Sequence, residues 1–201
     1  IPGGYQNEAM GDFSFAAGRR AAANHPGAFV WADATASPFG STGINQFVVR
    51  ASGGTQIYSN SRLTAGVKLN PGSGSWSMLS DRNHKDHLVE VDSAAVLEQL
   101  EHLPVYSWNY TSQAEDIRHF GPTSQDFRKA FGIGEEDTHI SMIDADGVAL
   151  SAIKGLIAEL REKEGQIDKL NQENAALRRR FDAVENRVNT FFEILEQLPE
   201  E

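Results

Sequence analysis

The sequence predicts an α+β chain in three parts: a β-rich segment over 1–79, a small α+β domain over 80–150, and one long helix over 151–201. Three observations carry this. First, positions 153, 156, 160, 163, 167, 170, 174, 177, 181, 184, 188, 191, 195 and 198 alternate spacings of three and four, and twelve of the fourteen are Ile, Leu, Val or Phe. Second, residues 1–79 break into short apolar runs between Gly, Pro and Asn turns, with no helical period. Third, composition changes at Ser80: 12 of 18 glycines precede it, and 5 Lys and Arg against 3 Asp and Glu give way to 13 against 25.

Taken in order, the first segment offers strands over 13–17, 28–32, 46–51 and 56–58. Large side chains are too sparse for a private core. Phe13, Phe15, Phe29, Trp31 and Phe47 still need burial, which copies of the same segment could supply. Residues 70–75 read as a turn or flexible connector. In the second segment, 92–102 reads as a helix capped by Asp92 or Ser93, with Val96, Leu97, Leu100 and Leu103 as its apolar stripe. Pro104 ends it. Residues 105–110 alternate like a strand, 118–122 read as a strand ending in a turn, and 123–131 as a short helix closed by Gly132. Residues 144–147 read as a turn into the final helix. That helix has no proline before Pro199, and its seam is that of a coiled coil. Lys163 and Asn174 interrupt the seam; a polar core residue fixes register at some cost in stability. Phe181 and Phe191 are bulky for a two-stranded seam.

Bulk properties exclude several classes. With no cysteine there are no disulfides, thiolate metal sites or cysteine nucleophile. No apolar run approaches the ~18 residues that a spanning helix needs. A net charge of −10, concentrated after Ser80, argues against nucleic acid or an anionic membrane as partner. The N-terminal Ile1-Pro2-Gly3-Gly4 has no initiator Met and reads as part of something longer.

The chemistry concentrates at Ser80-Asp81-Arg82-Asn83-His84-Lys85. A serine needs a base to become a nucleophile, and a desolvated lysine amine can serve. Ser80 lies at the seam between two segments, so the target suggested is its own chain: a self-cleavage site at Leu79 and Ser80. No cofactor is called for. His84, Asp86 and His87 read as surface polar groups rather than metal ligands, and 144–147 lacks the downstream ligands of a calcium loop.

Two resemblances follow from these motifs. Ser14-x-Ala16-x-Gly18-x-x-Ala21-x-Ala23 resembles the head repeats of trimeric autotransporter adhesins, where small residues let β-roll coils stack; an Ala/Gly-rich surface loop is the other reading. More extensively, Ser80-Asp81-Arg82-x-x-Lys85, Leu103-Pro104-Val105 with Trp108-Asn109-Tyr110, Arg118-His119-x-Gly121-Pro122-x-x-Gln125-Asp126-Phe127, and Asp144-x-Asp146-Gly147-Val148-Ala149-Leu150 resemble, in this order, the peptidase S74 family of endosialidase-type intramolecular chaperones. The resemblance spans roughly 80–165. Asp86-His87-Leu88 and Thr123-Ser124 depart from the usual pattern.

The resemblance implies the C-terminal chaperone of a phage tail spike or tail fibre, made in the host cytoplasm as a virion precursor, or of a bacterial surface fibre. It implies a homotrimer with a parallel trimeric coiled coil, and a β-roll or triple-β fibre segment as folding client. It also implies single-turnover serine endopeptidase activity, with Ser80 as nucleophile and Lys85 as base. Asp81, His119 and Gln125 are expected to shape the site; His119 reads equally well as a satisfied core histidine. The alternative is a trimerisation or adhesion tip that does not process itself.

Overall fold

The computed structural model describes residues 3–196, with side chains to residue 193. Leu198 of the heptad seam, Pro199, Ile1 and Pro2 lie outside the described residues, as does the side chain of Leu195. The chain forms two compact units, Ile1–Leu88 and Val89–Glu201.

The first unit opens with seven short strands: β1 (Gly4–Tyr5), β2 (Glu8–Ala9), β3 (Phe15–Arg19), β4 (Ala21–Ala23), β5 (Phe29–Ala32), β6 (Phe39–Gly40) and β7 (Phe47–Arg50). All pair in parallel, as two sheets ordered β1-β3-β5-β7 and β2-β4-β6. Strands alternating between two parallel sheets make a solenoid. The corners between sheets use left-handed residues, Gln6 (φ 53) after β1 and Arg20 (φ 57) after β3.

The small-residue pattern now has a physical reason. Ala16, Ala21 and Ala23 lie fully buried between the sheets with Ala28, Val30 and Ala32. Gly18 has φ 98, and a Cβ there would come within 1.7 Å of the Ala32 carbonyl oxygen of the next coil. The expectation that this segment lacks a private core is therefore corrected: a core exists, built of alanines and one valine. The aromatic residues stay outside it, and Phe13 is 98% exposed.

Polar side chains tie the coils together. Asn7 Nδ2 donates to the Gly18 carbonyl at 2.9 Å, and its Oδ1 accepts from the Ala21 N–H at 2.9 Å. Asp33 Oδ1 accepts from Arg50 Nε at 3.0 Å, and Asp33 Oδ2 accepts from the Ser52 N–H at 2.7 Å. Hydrogen bonding from Ser52, side chain first and then backbone, and from Thr35 holds the Asp33 carboxyl well below its ordinary 3.8. A depressed carboxyl stabilises the fold above its unfolded value, and that contribution is lost as pH falls through the folded value. The melting temperature of the first unit should therefore fall as the pH drops below 3.8, and the fall should be smaller in Asp33→Asn. Circular-dichroism melts of both proteins across the acid range check this; parallel curves would refute it.

The rest of the unit is an antiparallel sheet ordered β10-β9-β8, from β8 (Thr55–Tyr58), β9 (Gly66–Leu69) and β10 (Trp76–Met78). Of the two readings of residues 70–75, the structure has the turn and not the flexible connector: they form the hairpin loop that sets Trp76 opposite Leu69, with the Ser73 N–H bonded to the Asn70 carbonyl at 3.0 Å.

The second unit contains α1 (Ser93–Glu101), the antiparallel pair β11 (Tyr106–Trp108) and β12 (His119–Gly121), α2 (Ser124–Phe131) and α3 (Met142–Glu196). Asp92 caps α1, accepting from the Ala94 and Ala95 N–H groups. Thr123 caps α2, which ends on left-handed Gly132 (φ 66). The 55 residues of α3 make a rod of about 80 Å. Its start corrects the turn expected at 144–147. Ser141 Oγ accepts from the Ile143 N–H at 3.2 Å, so the helix begins before Asp144. Asp144 falls in the first turn, where the helix dipole favours a carboxylate. Gly147 costs the helix about 1 kcal/mol, offset by burial of neighbouring Val148 and Ala152.

Helices α1 and α3 pack closely at Gly155, where a Cβ would come within 2.5 Å of the Ser93 carbonyl oxygen. Backbone cannot yield as a flexible side chain would. Gly155→Ala should therefore destabilise the unit by about 1–3 kcal/mol, more than the ~1 kcal/mol that helix propensity returns. The urea midpoint measures the balance; a stabilised variant would mean the two helices are not in tight contact in solution.

Candidate functional site

The site is a loop leaving β10. The Leu79 N–H bonds to the Gly66 carbonyl at 3.0 Å and carries the strand pairing one residue past Met78. Ser80 follows. Asp81 then caps a single 3-10 turn, Arg82–His84: its Oδ1 accepts from the Asn83 backbone N–H at 2.9 Å and from Asn83 Nδ2 at 3.0 Å. The His84 N–H bonds to the Asp81 carbonyl at 3.1 Å, and the Lys85 N–H to the Arg82 carbonyl at 3.2 Å. One tight turn thus reverses the chain, and Lys85 returns alongside Ser80. Lys85 Nζ donates to Ser80 Oγ at 2.7 Å.

This contact is within the reach at which a base takes a hydroxyl proton. The chemistry needs the reverse donor direction, with the Ser80 hydroxyl giving its proton to a free amine. Burial favours the free amine of a lysine. On the single chain both Ser80 and Lys85 are exposed. The two groups are within hydrogen-bond reach, and a free amine here would need a burial that the single chain does not give it.

Asp81 shares the loop through the turn it caps. His119 and Gln125 belong to the second unit. The His119 ring lies among aromatic neighbours, 4.8 Å from Trp108 and 5.8 Å from Tyr110 between centroids, and its Nε2 sits 3.0 Å from Gln113 Oε1. Those contacts brace the β11–β12 pair. Arg118 does the same from the other side, donating to the Ser107 carbonyl at 2.6 Å and to Asn109 Oδ1 at 3.3 Å. Gln125 is exposed in the first turn of α2. Two residues that position the loop escaped the sequence reading. Asn83 has a local signal, an amide two residues after an aspartate, as in an Asx turn. Gly66 has none, because its bond to Leu79 depends on sheet register.

Among the described residues no group of three or more His, Asp or Glu is placed to hold a metal ion. No helix among them is long and apolar enough to cross a membrane. Comparison with curated proteins and with solved structures gives no match. Comparison with protein families does: the matched segment opens on Ser80 itself, runs through α1, the β11–β12 pair and α2, and stops short of α3. Residues 80–133 match the family model Peptidase_S74, described as the chaperone of endosialidase.

Proposed function

We propose that this chain is a self-cleaving intramolecular chaperone. Three copies gather through α3, the domain that begins at Ser80 guides folding of the β-rich segment before it, and Ser80 then cuts the chain. The observation that carries this reading is the 2.7 Å contact between Lys85 Nζ and Ser80 Oγ at the first residue of the family match. The chemistry balances without a cofactor. Lys85 as free amine takes the Ser80 hydroxyl proton, and Oγ attacks the Leu79 carbonyl. The Leu79–Ser80 C–N bond breaks, the nitrogen leaves protonated, and an ester links Leu79 to Oγ. Water hydrolyses that ester to a Leu79 carboxylate and restores the serine. Proximity supplies much of the rate, because nucleophile and target are adjacent in one chain.

Exposure of the pair on the single chain supports gating by assembly: neighbouring copies would bury Lys85 and free its amine. Cleavage would make assembly kinetically irreversible, since the fibre segment keeps its fold but loses the chaperone that set its register. Such a chain fits the precursor of a phage tail fibre or spike. The same exposure favours a second reading, a trimerisation or adhesion tip in which Ser80 and Lys85 stay silent. Intact mass spectrometry of the protein after native purification decides between them. A break between residues 79 and 80 supports self-cleavage, and a whole chain of 22.0 kDa in its native oligomer supports the silent tip.

A further inference from the structure

Leu79 is held from two sides. The sheet that runs into it is ordered β10-β9-β8, and its register sets Met78 opposite Val67 and Tyr58 opposite Gly66. One step beyond Met78, the Leu79 N–H is bonded to the Gly66 carbonyl, so Leu79 falls opposite Gly66. Side chains alternate between the faces of a sheet. Leu79, Gly66 and Tyr58 therefore form one row on one face, and Gly66 in the middle adds no side chain. A slot of about 180 Å³ opens there, and all three residues line it.

The slot has a physical cause. A Cβ at Gly66 would come within 2.3 Å of the Ile57 carbonyl oxygen and 3.0 Å of Tyr58 Cδ1, so glycine is what lets β8 and the Tyr58 ring lie this close. The Tyr58 hydroxyl donates to Gln56 Oε1 at 2.7 Å, which lays the ring along its own strand as a wall. The Leu79 Cα carries a nitrogen, a side chain and the carbonyl carbon. With the nitrogen bonded to Gly66 and the side chain beside the slot, the direction of the carbonyl carbon is set. That carbonyl is the one Ser80 Oγ must reach.

We propose that this slot is the subsite for the side chain on the N-terminal side of the cut, with Tyr58 as its specificity-determining wall. The inference rests on cleavage between Leu79 and Ser80. An aromatic wall and a glycine floor suit a branched apolar side chain of leucine's size. The other side of the bond is held by the turn that Asp81 caps. Nucleophile and carbonyl are thus placed by separate elements, and a misplacement of ~1 Å costs about a hundredfold in rate. Tyr58 and Gly66 lie before the segment that matches the family, so this part of the site belongs to the β-rich segment of this chain.

Full-length variants are made in a cell-free reaction, and the cut fraction is followed over time by intact mass. Leu79→Phe overfills the slot and Tyr58→Ala removes its wall; each should slow the cut by about tenfold or more. The two together should recover most of the rate, because the larger side chain fills the space that the lost ring leaves. A merely structural role would make the double variant the slowest of the three. Ile57→Ala is the control, since alternation turns Ile57 to the opposite face of β8, and its rate should match that of the unaltered protein. Full-rate cutting by either single variant, a double variant no faster than the singles, or a control as slow as Tyr58→Ala overturns the subsite and leaves the Ser80–Lys85 chemistry standing. Unaltered protein that stays whole overturns that chemistry, and the subsite with it.

Discussion

Ser80→Ala should leave the chain whole, and so should Lys85→Ala, while the unaltered protein is expected to break between residues 79 and 80. The expected loss of rate is on the order of a thousandfold or more, since removing either member of a nucleophile–base pair disables the whole unit. Neither change should disturb the fold. Both side chains are exposed, and surface substitutions of this kind usually stay within about 0.5 kcal/mol. Melting temperatures should therefore match, so a lost cut cannot be blamed on unfolding. Lys85→Arg is the sharper variant. It keeps a positive charge and a donor to Ser80 Oγ, but guanidinium does not give up its proton in proteins. A base at this position predicts no cleavage in Lys85→Arg; an electrostatic role predicts cleavage near the normal rate. Intact masses over a time course distinguish them. Cleavage persisting in Ser80→Ala would place the nucleophile elsewhere and end the proposal for this loop.

What the sequence disclosed and what it hid divide along one physical line. Local signals were readable. Asp92 and Gly132 cap or close helices because capping depends on a few adjacent residues. The Ser80-to-Lys85 spacing was readable for the same reason, since one capped 3-10 turn brings the two together. Signals set by distant partners were not. Ala21–Ala23 is a strand only because β2 and β6 flank it in register; alanine has little strand preference of its own. Gly66–Leu69 and Trp76–Met78 needed their hairpin. Residues 144–147 look like a turn by composition, yet the Ser141 cap and packing against α1 draw them into α3. The phenylalanine ladder is also a product of register: Phe15, Phe29 and Phe47 stand at unequal spacings and meet only when the coils stack.

Replacing Leu170 and Leu177 together with Glu should dissolve the proposed trimer. Both side chains are more than half exposed on the single chain, along with Leu160, Ile167, Phe181, Val184 and Phe191 on the same helical stripe. Among the described residues, the part of α3 beyond its packing on α1 has its apolar stripe exposed. Burying a leucine is worth about 1.5–3 kcal/mol. Six would be lost per trimer, about 10 kcal/mol or more, before counting the cost of charge in the seam. At about 1.4 kcal/mol per tenfold, that removes several orders of magnitude in association, enough for a monomer at micromolar concentration. Flanking charges favour parallel, in-register helices: Glu173 would face Arg178 of the next helix, and Arg180 would face Glu185. Light scattering gives the oligomer, and the same sample gives the second readout, its cleavage. If assembly is what desolvates Lys85, the double variant should be both monomeric and uncut, although Ser80 and Lys85 are untouched. A monomer that still cuts itself would keep the Ser80–Lys85 chemistry and remove its dependence on assembly. A trimer that survives the double change would show that α3 is not the seam, and the coupling of folding to cutting would then need another surface.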